Sequence, residues 1–171
     1  YGIPEFETAA RAVFDTVDEA VAAVTSVLQV GIPIARVELV DEESIRQVNL
    51  HSETDFAEKP TLFLEFHGNE AGLKQDIEFT TELMNDSGCK EIIFESDTAA
   101  RNLLWTARHN LAYAYIHANP GKKMMVTDVC VPISALAGAI HYAREQITAF
   151  DLTGGVLGHV GDGNFHAILM V

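Results

Sequence analysis

The chain has 171 residues, 48% of them hydrophobic and 21% charged, enough for one domain with a proper core or a large piece of a longer protein. Its 25 Asp plus Glu outnumber 11 Lys plus Arg, for a formal charge of −14. Nucleic acid is therefore a poor partner, since phosphate binding needs a clustered positive surface, and an anionic substrate needs a local cation to draw it in.

Tyr1 is not an initiating methionine and no signal peptide precedes it, while Val171 stops inside an apolar run. Residues 1–171 therefore read as one domain cut from a longer protein at both ends. Arg11 to Asp15 reads as a short strand. Thr16 and Glu19 have capping-box spacing for a helix through Val17 to Leu28, which Gly31 and Pro33 end. The apolar run from Ala20 to Val30 is broken by Thr25, Ser26 and Gln29 and falls short of the roughly 18 residues of a membrane span. Ile34 to Val40 alternates as a half-buried strand. Asp41 can cap a short helix to about Asn49, and the polar loop from His51 to Lys59 closes at Pro60.

Thr61 to His67 is a strand with Leu62, Leu64 and Phe66 on one face and Thr61, Phe63, Glu65 and His67 on the other. A helix follows Gly68 to about Asp86, then a strand from Glu91 to Glu95. Ser96 can cap a helix from Thr98 to about Arg108. His109 to Lys123 has no clear pattern beyond the turn at Asn119-Pro120-Gly121. Met124 to Val131 reads as one strand, Pro132 and Ser134 open a helix through about Ala149, and Gly154 to Val160 pairs with Asn164 to Met170. The order is βαβαβαβα and then βαββ. An α+β fold follows, with ferredoxin-like βαβ repeats and a mostly antiparallel sheet whose helices lie on one face.

The last pair of strands carries the chemistry. Asp162-Gly163 between apolar runs is a strong hairpin signal. With a two-residue turn, His159 stands opposite His166, and directly opposed Cβ atoms lie about 4.5–5.5 Å apart. From there two imidazoles can reach one ion at about 2.0–2.1 Å each. That is half a metal site, and it still needs a carboxylate and open positions. The plainer alternative is that one or both histidines pack or hydrogen-bond on a sheet face.

Arg108, at a helix end among apolar residues, suits bidentate capture of a carboxylate or, more blandly, stabilisation of the helix C-terminus. Glu65 and His67 could support a metal or share a solvated face. Asp128 can hydrogen-bond a turn or an arginine, Lys122 and Lys123 add positive potential, and turn geometry accounts for Asp162. Two cysteines are too few for a disulfide framework, and Cys130, between Val129 and Val131, reads as core packing. There is no Gly-rich phosphate loop, Gly-x-Ser-x-Gly elbow or Cys-x-x-Cys.

Five stretches together resemble a known family: Tyr1 to Glu5, Leu62 to Gly68, Leu104 to Asn110, Thr127 to Pro132 and Gly158 to His166. The family is the C-terminal, substrate-side domain of FAD-linked oxidases related to vanillyl-alcohol oxidase, in the D-lactate dehydrogenase (cytochrome) and glycolate oxidase branch. The resemblance covers nearly the whole chain. It implies that FAD is bound by a preceding domain, with Tyr1 to Glu5 at the junction. It implies that His159 and His166 hold a divalent metal, Zn or Mn, which polarises the substrate 2-hydroxyl, and that Arg108 holds the carboxylate. Flavin N5 takes hydride from C2, a histidine base removes the hydroxyl proton, and electrons pass to a cytochrome or quinone-linked carrier.

The family's third metal ligand, in a Glu-His-Gly motif, is expected beyond Val171, so no catalytic residue falls within this chain. Ala112 stands where some relatives carry a larger or polar side chain, which leaves the substrate's tail unspecified. The expected parent is an FAD- and metal-dependent dehydrogenase of a D-2-hydroxy acid, D-lactate to pyruvate foremost, and the isolated chain is expected to be inactive. The competing readings are a non-catalytic ferredoxin-like module binding a small carboxylate or metal, and a structural domain that forms a homodimer. Cysteine usage points to an intracellular protein, cytoplasmic or inner-membrane-associated if bacterial and mitochondrial if eukaryotic.

Overall fold

The computed structural model describes residues 4–171, apart from the side chain of Ala107; Tyr1, Gly2 and Ile3 of the expected junction lie outside the described residues. The elements run β1 (Phe6–Val13), α1 (Val17–Gln29), β2 (Ile34–Val40), α2 (Glu42–Ser52), β3 (Thr61–Gly68), α3 (Glu70–Asp86) and β4 (Glu91–Glu95). They continue with α4 (Thr98–His109), α5 (Leu111–Ala118), β5 (Met124–Val126), β6 (Val129–Cys130), α6 (Ile133–Ala149), β7 (Thr153–Gly158) and β8 (Asn164–Met170). No helix among the described residues is long and apolar enough to cross a membrane.

The α+β class holds. One sheet runs β4-β1-β3-β2-β7-β8-β5 with β6 added on β8, and each strand pair is antiparallel. Its first half has the β4-β1-β3-β2 order of a split βαβ unit, in which β3 separates β1 from β2. The capping box forms as expected: Thr16 Oγ1 accepts from the Glu19 amide, and Glu19 accepts from the Thr16 amide.

The three longest helices, α1, α3 and α6, pack on one face against Leu39, Leu62, Leu64, Phe66 and Phe165. The opposite face is not bare. The shorter α2, α4 and α5 bring Ile45, Val48, Leu104, Trp105, Leu111 and Tyr115 onto Val40, Phe63, Leu157, Ile168 and Met170. The expectation of helices on one face is therefore right for the long helices only. The second layer depends partly on α5, which emerges from the unassigned stretch.

Local chemistry moves three boundaries. β1 lies nearer the N-terminus than Arg11–Asp15, because small residues such as Ala9, Ala10 and Ala12 are held between β3 and β4, whereas Asp15 turns out to Lys59 and Lys90. Asp97, not Ser96, caps α4 by accepting from the Ala99 and Ala100 amides at 2.9 and 3.1 Å. The strand expected over Met124 to Val131 breaks in two where the Thr127 hydroxyl takes the Ala167 amide at 2.9 Å. Cys130 beyond the break is exposed, not packed in the core, since β6 is a two-residue edge segment.

Candidate functional site

The β7–β8 connection is longer than a two-residue turn. Residues 159–163 form it, with a 3-10 turn over Val160–Asp162 and Gly163 in the left-handed region at φ 74°. Gly163 also lies tight against Val131, so a side chain there has neither the backbone conformation nor the room it needs. The register therefore differs from the expected one: His166 pairs with Leu157, and His159 sits past the end of β7. A residue two places along from the directly opposed one has its Cβ about 7–8 Å away in a regular ladder. The two histidines are thus diagonal neighbours and not a direct pair. The row Val40, Leu157, His166 crosses β2, β7 and β8 on the face covered by α2, α4 and α5, and Glu38 shares that face by strand alternation with Val40.

Glu38 joins two of the expected site residues. Its side chain is 6% exposed, with Oε2 accepting from Arg108 Nε at 2.6 Å and standing 2.6 Å from Nη2, and Oε1 standing 3.2 Å from His159 Nδ1. Arg108 and His159 are brought together through this carboxylate. The Nη1 end of the guanidinium has no partner among the described residues. One turn back on α4, Trp105 carries the guanidinium of Arg36 at 4.2 Å from its ring centroid, and its own Nε1 is buried without a hydrogen-bond partner. A second cation thus lies on the same face.

His166 has its own anchor. Its Nδ1 is 3.0 Å from the Thr127 carbonyl oxygen and 3.5 Å from Asp128 Oδ1. Carboxylates and carbonyls only accept, so the Thr127 carbonyl favours a proton on Nδ1 of His166 and Glu38 favours one on Nδ1 of His159, which in the neutral rings leaves Nε2 as the free donor atom. Metal-binding histidines have this arrangement, with the second nitrogen oriented by an acceptor. The donor set is partial: among the described residues no group of three or more His, Cys, Asp and Glu could hold a metal ion.

The remaining candidates fall elsewhere. Glu65 accepts from His67 Nε2 at 2.8 Å and stands 4.0 Å from Arg36, so this pair forms an ionic cluster on β2 and β3. Asp128 accepts from Asn164 Nδ2 at 2.8 Å and steadies the hairpin, not an arginine. Lys122 donates to Thr153 Oγ1 at 2.9 Å. Sequence reasoning read Ile34 to Val40 as a half-buried strand and did not single out Glu38. The available signal was that it shares its face with the apolar Val40.

Behind this face lies a buried polar knot. Asp41 Oδ1 accepts from the Ser44 amide at 3.0 Å and Oδ2 from the Val156 amide at 2.7 Å, and Ser44 Oγ is 3.0 Å from the Tyr115 hydroxyl. Burial pushes the Asp41 carboxyl up to about 6, against the opposing pull of Ser44 and Val156, and burial likewise raises the Tyr115 phenol. Between pH 4 and 6 the folded chain thus keeps a proton that the unfolded chain has released, so this group's contribution falls as pH rises through that window. The change is roughly 3 kcal/mol. Urea unfolding at pH 4 and 7 should show that difference relative to Asp41→Asn, whose own profile lacks this step. Parallel profiles would rule out a raised Asp41.

Sequence and fold comparisons agree with this architecture. The family described as FAD linked oxidases, C-terminal domain, matches residues 3–171. The probable mitochondrial D-lactate dehydrogenase of Danio rerio is 39% identical over 171 residues, covering 100% of this chain and 34% of the relative. The mitochondrial D-lactate dehydrogenase [cytochrome] of Arabidopsis thaliana is 34% identical, covering 98% of this chain and 30% of the relative. The chain thus spans about a third of the length of these curated relatives. Among solved structures, an alkyldihydroxyacetonephosphate synthase superposes with a TM-score of 0.73 at 12% identity, covering 99% of this chain and 37% of the other. A 4-ethylphenol oxidase from Gulosibacter chungangensis gives a TM-score of 0.65 at 14% identity, over 99% of this chain and 40% of the other. These two likenesses show the fold. With the family match running from residue 3 to the last residue, and relatives above 30% identity over the full chain, the chain belongs to the C-terminal domain family of the FAD linked oxidases.

Proposed function

We propose that this chain is the substrate- and metal-binding part of an FAD-dependent D-2-hydroxy acid dehydrogenase acting foremost on D-lactate. The observation that carries the reading is the Arg108–Glu38–His159 chain, with His166 on the same sheet face. The names of the relatives, D-lactate dehydrogenases with a cytochrome acceptor, support the choice of substrate and acceptor, and their mitochondrial setting favours the same compartment. A cavity of about 550 Å³ beside β1 and α3 is lined by Glu5, Glu7, Glu70 and Glu78 against Lys74 and Arg101, of which Arg101 is already paired with Glu7, so a pyrophosphate would meet an acidic excess and we derive no step through the flavin on this chain.

In this reading the two imidazoles, each with Nδ1 facing an acceptor, would give Nε2 to a divalent metal, Zn²⁺ or Mn²⁺, with further ligands still required. When bound, such an ion polarises a hydroxyl oxygen and makes its proton easier to remove. Glu38 keeps the Nδ1 proton of His159 in place and holds Arg108 so that its Nη1 end stays available. That end, with Arg36 nearby, supplies the positive potential an acid needs on a chain of charge −14.

Zinc titration followed by ¹⁵N imidazole NMR tests the reading. The Nε2 resonances of His159 and His166 should move while their Nδ1 resonances keep the protonated position, and D-lactate added to the zinc-loaded chain should shift the Arg108 Nε–H signal. Unmoved Nε2 resonances would remove the metal, and an unmoved Arg108 signal would remove the carboxylate clamp.

A further inference from the structure

Two imidazoles meet away from the hairpin, one at the end of α2 and one in α5. The Nδ1 atoms of His51 and His117 are 3.3 Å apart, and their ring centroids are 5.0 Å apart at an interplanar angle of 40°. The residues are 66 positions apart in sequence. They are held by the packing of Ile45 and Val48 against Leu111 and Tyr115 and by the Ser44–Tyr115 hydrogen bond. The helix positions are thus set by the core, not by the rings.

The separation is informative. Two nitrogens bound to one ion at about 2.0–2.1 Å stand about 3.3–3.4 Å apart for a tetrahedral angle and about 2.8–3.0 Å apart for a right angle. The observed 3.3 Å fits the tetrahedral case. A collinear N–H···N bond of that length would place ring centroids about 5.6 Å apart, given a ring radius of about 1.2 Å. At 5.0 Å the rings are tilted off the N···N line, as when two lone pairs converge on a point beside it.

We propose that His51 and His117 form a Zn²⁺ site through both Nδ1 atoms, clipping the C-terminal end of α2 to α5, with water in the remaining positions. Tetrahedral geometry and imidazole donors select zinc over ions that demand square or octahedral oxygen sets. No third His, Cys, Asp or Glu completes the set among the described residues, so the clip is conditional and fills only when free zinc is raised. The chain's formal charge of −14 favours cations at its surface. On loading, the proton between the two Nδ1 atoms moves to an Nε2, so that both Nδ1 lone pairs face the ion. This site uses none of the residues of the function proposed above.

Zinc titration of the full chain, read by thermal unfolding and ¹⁵N imidazole NMR, tests the clip. The unfolding midpoint should rise by about 5–10 °C once free zinc exceeds the dissociation constant a hundredfold. His51 and His117 should respond at Nδ1, opposite to the Nε2 response expected of His159 and His166. Made in a chain that also carries His159→Ala and His166→Ala, so that the hairpin histidines take up no zinc, His51→Ala and His117→Ala, at the rim of the fold, should each lose the Nδ1 response and most of the midpoint rise. His159→Ala combined with His166→Ala alone should keep both. A midpoint rise that survives the loss of His51 or of His117 in that background, or His51 and His117 signals that move only at Nε2, would overturn the proposal.

Discussion

Replacing Glu38 by alanine should destabilise the chain by about 3–5 kcal/mol, the range for removing one partner of a buried ion pair. Glu38 is 4% exposed, accepts a hydrogen bond from Arg108 Nε, and lies within ion-pair distance of Arg108 Nη2 and of His159 Nδ1. Without it a cation whose side chain is 15% exposed has no counter-charge, and the His159 ring loses the acceptor that fixes its tautomer. Glu38→Gln keeps the volume and should cost about 1–3 kcal/mol. In a double-mutant cycle with Arg108→Ala, the combined loss should be smaller than the sum by about 1–3 kcal/mol, because the second change removes the charge stranded by the first. Urea unfolding measures all four proteins, and strict additivity would mean that the pair does not act as a unit. On the proposed function, Glu38→Ala should also weaken zinc binding at His159 and His166 by about 10–100-fold, as removal of an outer-shell acceptor does elsewhere.

Gly155→Ala should be about as damaging, at about 3–5 kcal/mol. A Cβ at this position would point into the knot behind the site, 2.6 Å from both Asp41 Oδ1 and Ser44 Oγ and against the Tyr115 hydroxyl. Asp41, Ser44 and Tyr115 are 2%, 0% and 0% exposed, so none can swing aside into water. The new methyl must either push the β7 backbone away from β2 or break hydrogen bonds that have no substitute. Gly138→Ala is the control: it lies in α6 with nothing within 4 Å of the added carbon, and should stabilise by about 0.5–1 kcal/mol through helix propensity. Equal midpoints for the two alanine variants in a thermal melt would show that β7 has slack around Gly155.

How far the sequence could be read depends on how local the deciding interaction is. The α1 capping box, the alternation of β3 and the helix after Asp41 were legible because Thr16 with Glu19, Leu62 with Leu64, and Asp41 with Ser44 lie within a few residues of each other. The Asp97 cap was displaced from Ser96 by one residue because either side chain could serve, and Ser96 has a tertiary alternative in Thr8. The helix α5 escaped notice for a different reason. Its inner face is Leu111, Ala114 and Tyr115, but Tyr113 and Ile116 on the outer side are apolar too and exposed, so the sequence shows no clean amphipathic period, and packing of Leu111 and Tyr115 into the core stabilises the helix.

In the candidate site the residue types were legible and the geometry was not. His159, His166 and Arg108 stood out as groups able to bind an ion or an acid. The Asp162-Gly163 pair suggested a tight turn, but Gly163 is left-handed within a longer connection that packs against Val131 and Val37, so the register moved and the histidines became diagonal. Glu38 could not be singled out from β2, because its burial comes from α4 and the 159–163 connection, 70 and more positions later in the chain.

By itself the sequence determined the α+β class, the long helices, the β3 faces and the family, since periodicity, capping and motif spacing are properties of neighbouring residues. The tertiary structure alone decided the second helical layer, the burial of Glu38 between Arg108 and His159, and the meeting of His51 with His117. Those depend on which side chains distant segments bring to one spot, and that is set by closure of the core around β2, β7 and β8.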